Sequence, residues 1–251
     1  MVHPRFIIPS VISIVALCVG LSSIKFAINN QFEYAILSIT LAAILDTIDG
    51  RIARLIKGTS KFGAELDSLI DFLNFGVAPA LVVYFASLKN FGNLGWFLVL
   101  IYSSCCCLRL ARFNLETSVQ KWRENFFTGV PSPSGAGILL LPLIFSLSDF
   151  SKIFLFVDQL SFIGIILASF LMISKIPTYS LKGLKIKKPY LVLMLLTIGT
   201  YFSLLINYPF NTLLFTGLLY IAFIPISFVH FKLIKKRTSK NSQNFISEDL
   251  I

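Results

Sequence analysis

Apolar runs of about 18 residues or more recur along the whole chain, and each is bounded by a short polar or basic stretch. That pattern is the signature of membrane-crossing helices rather than of amphipathic helices on a soluble core. Eight spans are predicted: Phe6–Ile24, Phe32–Leu55, Ala64–Leu88, Leu94–Phe113, Ser134–Leu147, Leu160–Ser174, Leu191–Ile206 and Phe210–Ile234. The fifth and sixth are short and fit a tilted or partly re-entrant helix. The expected fold is an all-α integral membrane protein with one membrane domain over residues 1–235 and a polar cytoplasmic tail over 236–251. The first span lacks a clean small-x-small cleavage site, so it reads as a helix rather than a cleaved leader.

Charge sets the orientation. Charged residues make up 14% of the 251, against roughly 25% in an ordinary soluble domain. Under the eight spans, only Lys25, Lys89 and Lys152 fall on one side, and the other 19 of the 22 basic residues fall on the opposite side or its boundary. Cytoplasmic loops carry the excess of Lys and Arg. Both termini are therefore expected in the cytoplasm, and a multi-pass protein of the inner (cytoplasmic) membrane follows. The net charge of +10 reads as topology plus attraction to anionic headgroups. A nucleic-acid role has no separate domain to occupy. Of the four cysteines, Cys105, Cys106 and Cys107 are consecutive, so on a helix they point about 100° apart and do not share a metal. Small apolar filler is the expected role.

Against this background Asp46, Asp49, Asp67 and Asp71 stand out, four aspartates within 26 residues of two adjacent spans. A charge at the bilayer centre costs roughly 2.5–3.5 kcal/mol, less near the interface. Asp46, Asp49, Gly50 and Ala53 follow i, i+3, i+4, i+7, and Gly63, Asp67 and Asp71 are spaced by four, so each set shares one helix face. A short turn, "KGTSKFG", joins the two spans, which makes them neighbours. All four carboxylates should converge just inside the cytoplasmic boundary. Ion pairing with Arg51, Arg54 or Lys57 would neutralise them, and so would a divalent cation; hard oxygen ligands suit Mg²⁺ or Mn²⁺. Gly50 and Ala53 clear the surface between the acids, and Arg54 adds a donor suited to phosphate. Together these features suggest a metal-bridged diphosphate.

As a pattern the stretch reads D-x2-D-G-x2-A-R-x8-G-x3-D-x3-D, with Asp46, Asp49, Gly50, Ala53, Arg54, Gly63, Asp67 and Asp71 at the fixed positions. This resembles the signature of the CDP-alcohol phosphatidyltransferases, which move a phosphatidyl or related group from a CDP carrier to an alcohol and release CMP. "SKFGAELDSLIDFLNFGVAPA", "LRLARFN" and "FTGVPSPSGAG" further resemble the membrane-integral bacterial phosphatidylserine synthases of that family. The opening "FIIPSVISI" is similar to the family's first segment, with Ser10 where Asn is usual and Ser13 in place of Thr.

The resemblance implies that Asp46, Asp49, Asp67 and Asp71 hold one or two divalent cations. It implies that Gly50, Ala53 and Gly63 let the CDP moiety lie against the helices, with Asp46, Asp49, Asp67 and Arg54 also in contact with it. Asp71 would be the general base. The donor would be CDP-diacylglycerol, the acceptor L-serine, and the assembly a homodimer in the bilayer. Arg109, Arg112 and Asn114 are candidate acceptor ligands, with positive-inside anchoring as the alternative for the two arginines. In "VPSPSGAG", Ser132 or Ser134 is expected to cap a helix. Glycerol 3-phosphate, inositol, inositol phosphate and choline stay open as acceptors, because the shared motif handles only CDP and metal. A divalent-cation transporter would place its acids near the midplane in symmetric halves, and a prenyltransferase would need a second Asp-rich motif. Neither pattern is present.

Overall fold

The computed structural model describes residues 4–56, 60–115, 126–150, 156–179 and 190–248. Its helices are α1 (Pro4–Ile28), α2 (Phe32–Leu55), α3 (Lys61–Asp71), α4 (Ala78–Ala86), α5 (Asn93–Leu115), α6 (Ser132–Leu147), α7 (Val157–Ile173), α8 (Leu191–Asn207) and α9 (Pro209–Glu248). A π-helical segment, Phe72–Val77, joins α3 to α4 without a break. A helix therefore stands at each of the eight predicted spans. Among the described residues, four stretches are long and apolar enough to cross a membrane: Pro9–Ile28, Lys61–Ala86, Asn93–Leu115 and Pro209–Ile234. α6, α7 and α8 are apolar but only 16 to 17 residues long. α2 has the length, at 24 residues, but carries Glu33, Asp46, Asp49, Arg51 and Arg54. Lys57, Lys121, Arg123, Lys152, Lys182, Lys185, Lys187 and Lys188, which entered the charge argument, lie outside the described residues. The backbone of α9 continues as helix to Glu248, so most of the polar tail extends the last span.

α1 and α2 form a hairpin closed by a left-handed residue. Asn30 takes φ 59° and the Gln31 N–H reaches back to Phe26 O at 2.8 Å. That is the helix-stop geometry which Asn tolerates better than most side chains. α6 is the most enclosed helix, with Ile138, Leu139, Leu140, Leu143 and Ile144 buried against α4, α7 and α9. α8 is exposed along most of its described length, and its Leu193, Leu196 and Ile206 face outward. Apolar surface this extensive needs a nonaqueous neighbour, here the lipid.

Lys61–Ala86 contains Pro79, which has no N–H to give Phe75 O four residues earlier. The wider π turn carries the chain through, with the Ala78 N–H bonding Leu73 O. Two carbonyls of this segment find partners on α5. Tyr102 Oη donates to Phe75 O at 2.9 Å and Ser103 Oγ donates to Gly76 O at 3.1 Å. α1 meets the same segment at Gly20, where a Cβ would overlap the Asn74 side-chain amide.

Two short strands, β1 (Phe126–Thr128) and β2 (Pro177–Tyr179), pair antiparallel with Phe127 opposite Thr178. They draw the ends of α5, α6 and α7 together at the end that carries the acids. At the other end, Asn90 Nδ2 donates to Asp158 Oδ2 at 2.8 Å and Asn211 Nδ2 donates to Asp149 Oδ2 at 2.6 Å.

Candidate active site

α2 and α3 bring the aspartates together as their spacing requires. One carboxylate oxygen each from Asp46, Asp49 and Asp67 lies within 4.8 Å of the others, close enough to share a cation. Asp71 falls outside that triplet, and its carboxylate faces Asp46 from the next turn of α3. Among the described residues, no ion pair satisfies the group. Both Asp49 oxygens and Asp71 Oδ1 are buried without a hydrogen-bond partner, and Asp49 is only 2% exposed. Arg54 turns its Nε to Gly50 O at 2.9 Å instead. Lys57 lies outside the described residues. Unpaired carboxylates this close repel one another and have lost their hydration, so the arrangement suits a divalent cation in the middle.

Asp49 and Asp67 of the triplet line a cleft of about 310 Å³, together with Pro9, Ser10 and Ser13 of α1, Gly50, Ala53 and Arg54 of α2, and Ser60, Gly63 and Ala64. Ser60 caps α3, its Oγ accepting the Gly63 N–H at 2.9 Å. This turns the start of α3, with its positive dipole end, toward the cleft. A Cβ on Gly50 would meet nothing within 4 Å. Protein packing therefore does not demand glycine there, and the bare backbone is accessible to a ligand. Gly50→Leu should leave the melting temperature unchanged or slightly higher, because leucine favours helix over glycine by roughly 0.5–1 kcal/mol. CMP affinity should fall by about tenfold or more, since the added side chain fills the cleft. Isothermal titration in the presence of Mn²⁺ measures this, and undiminished CMP binding would place the nucleotide elsewhere.

Three residues noted as acceptor ligands sit on α5. Arg109 is 7% exposed; its Nε donates to Val130 O and its Nη1 to Ser132 Oγ at 3.0 Å. Its charge acts on Asp71. Arg112 donates through Nη1 to Ile173 O at 3.1 Å and through Nη2 to Thr128 O at 3.2 Å, so it ties α7 and β1 together. Asn114 Nδ2 donates to Ser68 Oγ at 3.0 Å on the outer face of α3. Ser132 does not cap α6. Pro131 holds the cap position without a side-chain bond, and the Ser132 hydroxyl serves Arg109 instead. Cys105 and Cys106 are buried and Cys107 is exposed, so consecutive residues diverge as expected. Ser60 and Ala64 read only as turn and helix residues in the sequence, and their place in the cleft follows from the folded geometry.

Comparison with known proteins shows the family. The CDP-alcohol phosphatidyltransferase family model matches residues 6–173. Three similar proteins are each named CDP-diacylglycerol–serine O-phosphatidyltransferase. One from Mycobacterium leprae is 36% identical over 228 residues, covering 88% of this chain and 74% of the relative. One from Helicobacter pylori is 34% identical over 207 residues, 80% of this chain and 84% of the relative. One from Bacillus subtilis is 36% identical over 169 residues, 67% of this chain and 88% of the relative. The matched region runs from α1 to the end of α7 and contains every residue of the carboxylate cleft, and the chain belongs to the CDP-alcohol phosphatidyltransferase family.

Proposed function

We propose that this protein transfers the phosphatidyl group of CDP-diacylglycerol to the hydroxyl of L-serine, giving phosphatidylserine and CMP. The observation that carries the reading is the triplet Asp46, Asp49 and Asp67 at the edge of a cleft with a bare helix backbone at Gly50. The names of the relatives supply serine as acceptor. Asp46, Asp49 and Asp67 would hold Mg²⁺ or Mn²⁺, with Asp71 at the margin. When bound, the cation offsets the charge of the diphosphate and of the departing CMP.

The remaining steps belong to the chain. Gly50, Ala53 and Gly63 let the nucleotide lie against α2 and α3. Arg54, whose Nε is held by Gly50 O, presents the rest of its guanidinium to phosphate. Asp71 Oδ1, buried and unpartnered, accepts the proton of the serine hydroxyl. The new bond joins the serine oxygen to the β-phosphorus, and the bond from that phosphorus to the CMP oxygen breaks in line with it. No phosphoenzyme forms. Arg109 faces the acceptor, while Arg112 and Asn114 act through what they hold: Thr128 and Ile173 for the first, Ser68 for the second. One nearby arginine suits a zwitterion better than a phosphorylated acceptor. The lipid donor reaches the cleft from the cytoplasmic leaflet of the inner membrane, and serine reaches it from the cytosol. A homodimer goes with this reading through the family resemblance alone.

The test is product analysis by mass spectrometry. Purified protein receives CDP-diacylglycerol and Mn²⁺ or Mg²⁺ with serine, glycerol 3-phosphate, inositol, inositol phosphate and choline in competition. Phosphatidylserine and CMP should form, and EDTA should stop both. Another phospholipid as main product would overturn the serine assignment and keep the chemistry. No transfer by folded protein would overturn both.

A further inference from the structure

α9 lies wholly beyond the region that the family model matches, residues 6–173, yet it reaches the buried polar centre of the protein. It is brought there by Gly217. A Cβ at that position would stand 2.8 Å from Leu141 Cδ2, so the bare backbone lets α9 lie close on α6 without displacing that side chain. One turn on, Tyr220 turns inward. Its hydroxyl is buried, faces Ser134 of α6 and Thr178 of β2, and makes no hydrogen bond of acceptable geometry. Thr178 spends its own proton on Gly129 O at 2.9 Å. Arg109 lies within electrostatic reach of both Tyr220 and Asp71. Its Nε and Nη1 are committed, which leaves Nη2 without a hydrogen-bond partner among the described residues.

Tyr220 and Ser134 are polar residues in the otherwise largely apolar lining of a cavity of about 270 Å³ between α2, α6 and α9. Ala43 and Phe75 line the same cavity, one helical turn from Asp46 and Asp71 respectively. A phenol at such a depth normally finds a partner. Here its unmet donor and the Ser134 hydroxyl share one cavity, and Arg109 holds Ser132, two residues before Ser134 on the same helix. That donor set matches a carboxylate bound a few ångströms from a reacting hydroxyl.

We propose that Tyr220, with Ser134 and Nη2 of Arg109, forms the subsite that binds the carboxylate of the amino-acid acceptor, so that α9 takes part in selecting it. This rests on the phosphatidyl-transfer reading above. The experiment compares wild type with Tyr220→Phe as full-length protein in lipid nanodiscs, using serine and serinol, which keeps the hydroxyl and amine but lacks the carboxylate. One lost hydrogen bond to a charged group predicts a rise of about tenfold or more in KM for serine, a change of at most about twofold for CDP-diacylglycerol, and a reduced preference for serine over serinol. An unchanged KM for serine, or equal losses with serine and serinol, overturns the proposal. Wild type that makes no phosphatidylserine overturns the underlying reading as well, so the two failures are distinguishable. Mn²⁺-dependent CMP binding reports whether the variant is folded, and Ser134→Ala, read the same way, decides the matter if Tyr220→Phe does not bind CMP.

Discussion

Asp49→Asn should give a protein that is at least as stable as the parent and almost inactive. Asp49 is 2% exposed and neither of its oxygens has a partner. An ionised carboxylate in that position costs folding energy that an amide of the same shape partly recovers. The triplet then loses its most enclosed ligand. Turnover should drop by roughly 10³-fold, the scale seen when one group that stabilises developing charge is removed. Two melting curves separate the effects. In EDTA the variant should melt at or above the parent temperature. With Mn²⁺ the parent should gain stability through ligand linkage and the variant should gain little. Full Mn²⁺-dependent turnover in Asp49→Asn would remove Asp49 from the metal site, and a lower melting temperature in EDTA would mean that its charge is satisfied in the fold.

Asp71→Asn should behave differently although it lies only one turn from Asp67. It stands outside the three-oxygen group, and its Oδ1 is buried without a partner. An amide there cannot take a proton, while Asp46, Asp49 and Asp67 remain as ligands. CMP binding should persist within a small factor, and kcat should fall by about 10²–10⁴-fold, the usual contribution of a positioned general base. Titration calorimetry with CMP and Mn²⁺, paired with single-turnover assays, distinguishes base from ligand. Loss of CMP binding along with turnover would make Asp71 a metal ligand. Retained turnover would leave the base unassigned.

The site was largely legible in the sequence because its parts are local. Asp46, Asp49, Gly50 and Ala53 share one helix, Gly63, Asp67 and Asp71 share the next, and a short connection forces the two faces together. Helical periodicity alone then predicts convergence, as found for Asp46, Asp49 and Asp67, with Asp71 beside them. Contacts between distant parts of the chain were not legible. Arg112 carries the same positive-inside signal whether it clamps a ligand or two carbonyls, and only the folded chain brings Thr128 and Ile173 to it. Ser132 looks like a helix cap from its neighbours, but Arg109 claims the hydroxyl from 23 residues away. β1 and β2 have three residues each, too few for an alternating pattern to register. Tyr220 sits in an apolar run in which one more aromatic residue carries no signal.

Pro79 has a consequence beyond its own helix. A proline inside a helix usually counts as a defect, because it strands a carbonyl. Here the stranded Phe75 O is where Tyr102 of the neighbouring helix attaches. The attachment acts as a registration mark between two antiparallel rods. Counting from it along each rod, Asp71 lies four residues and Arg109 seven residues toward the end that carries the aspartates. The offset between the proposed base and the Arg109 guanidinium is therefore set by a fixed count of residues on each rod, and sliding either rod would break the bond that marks zero.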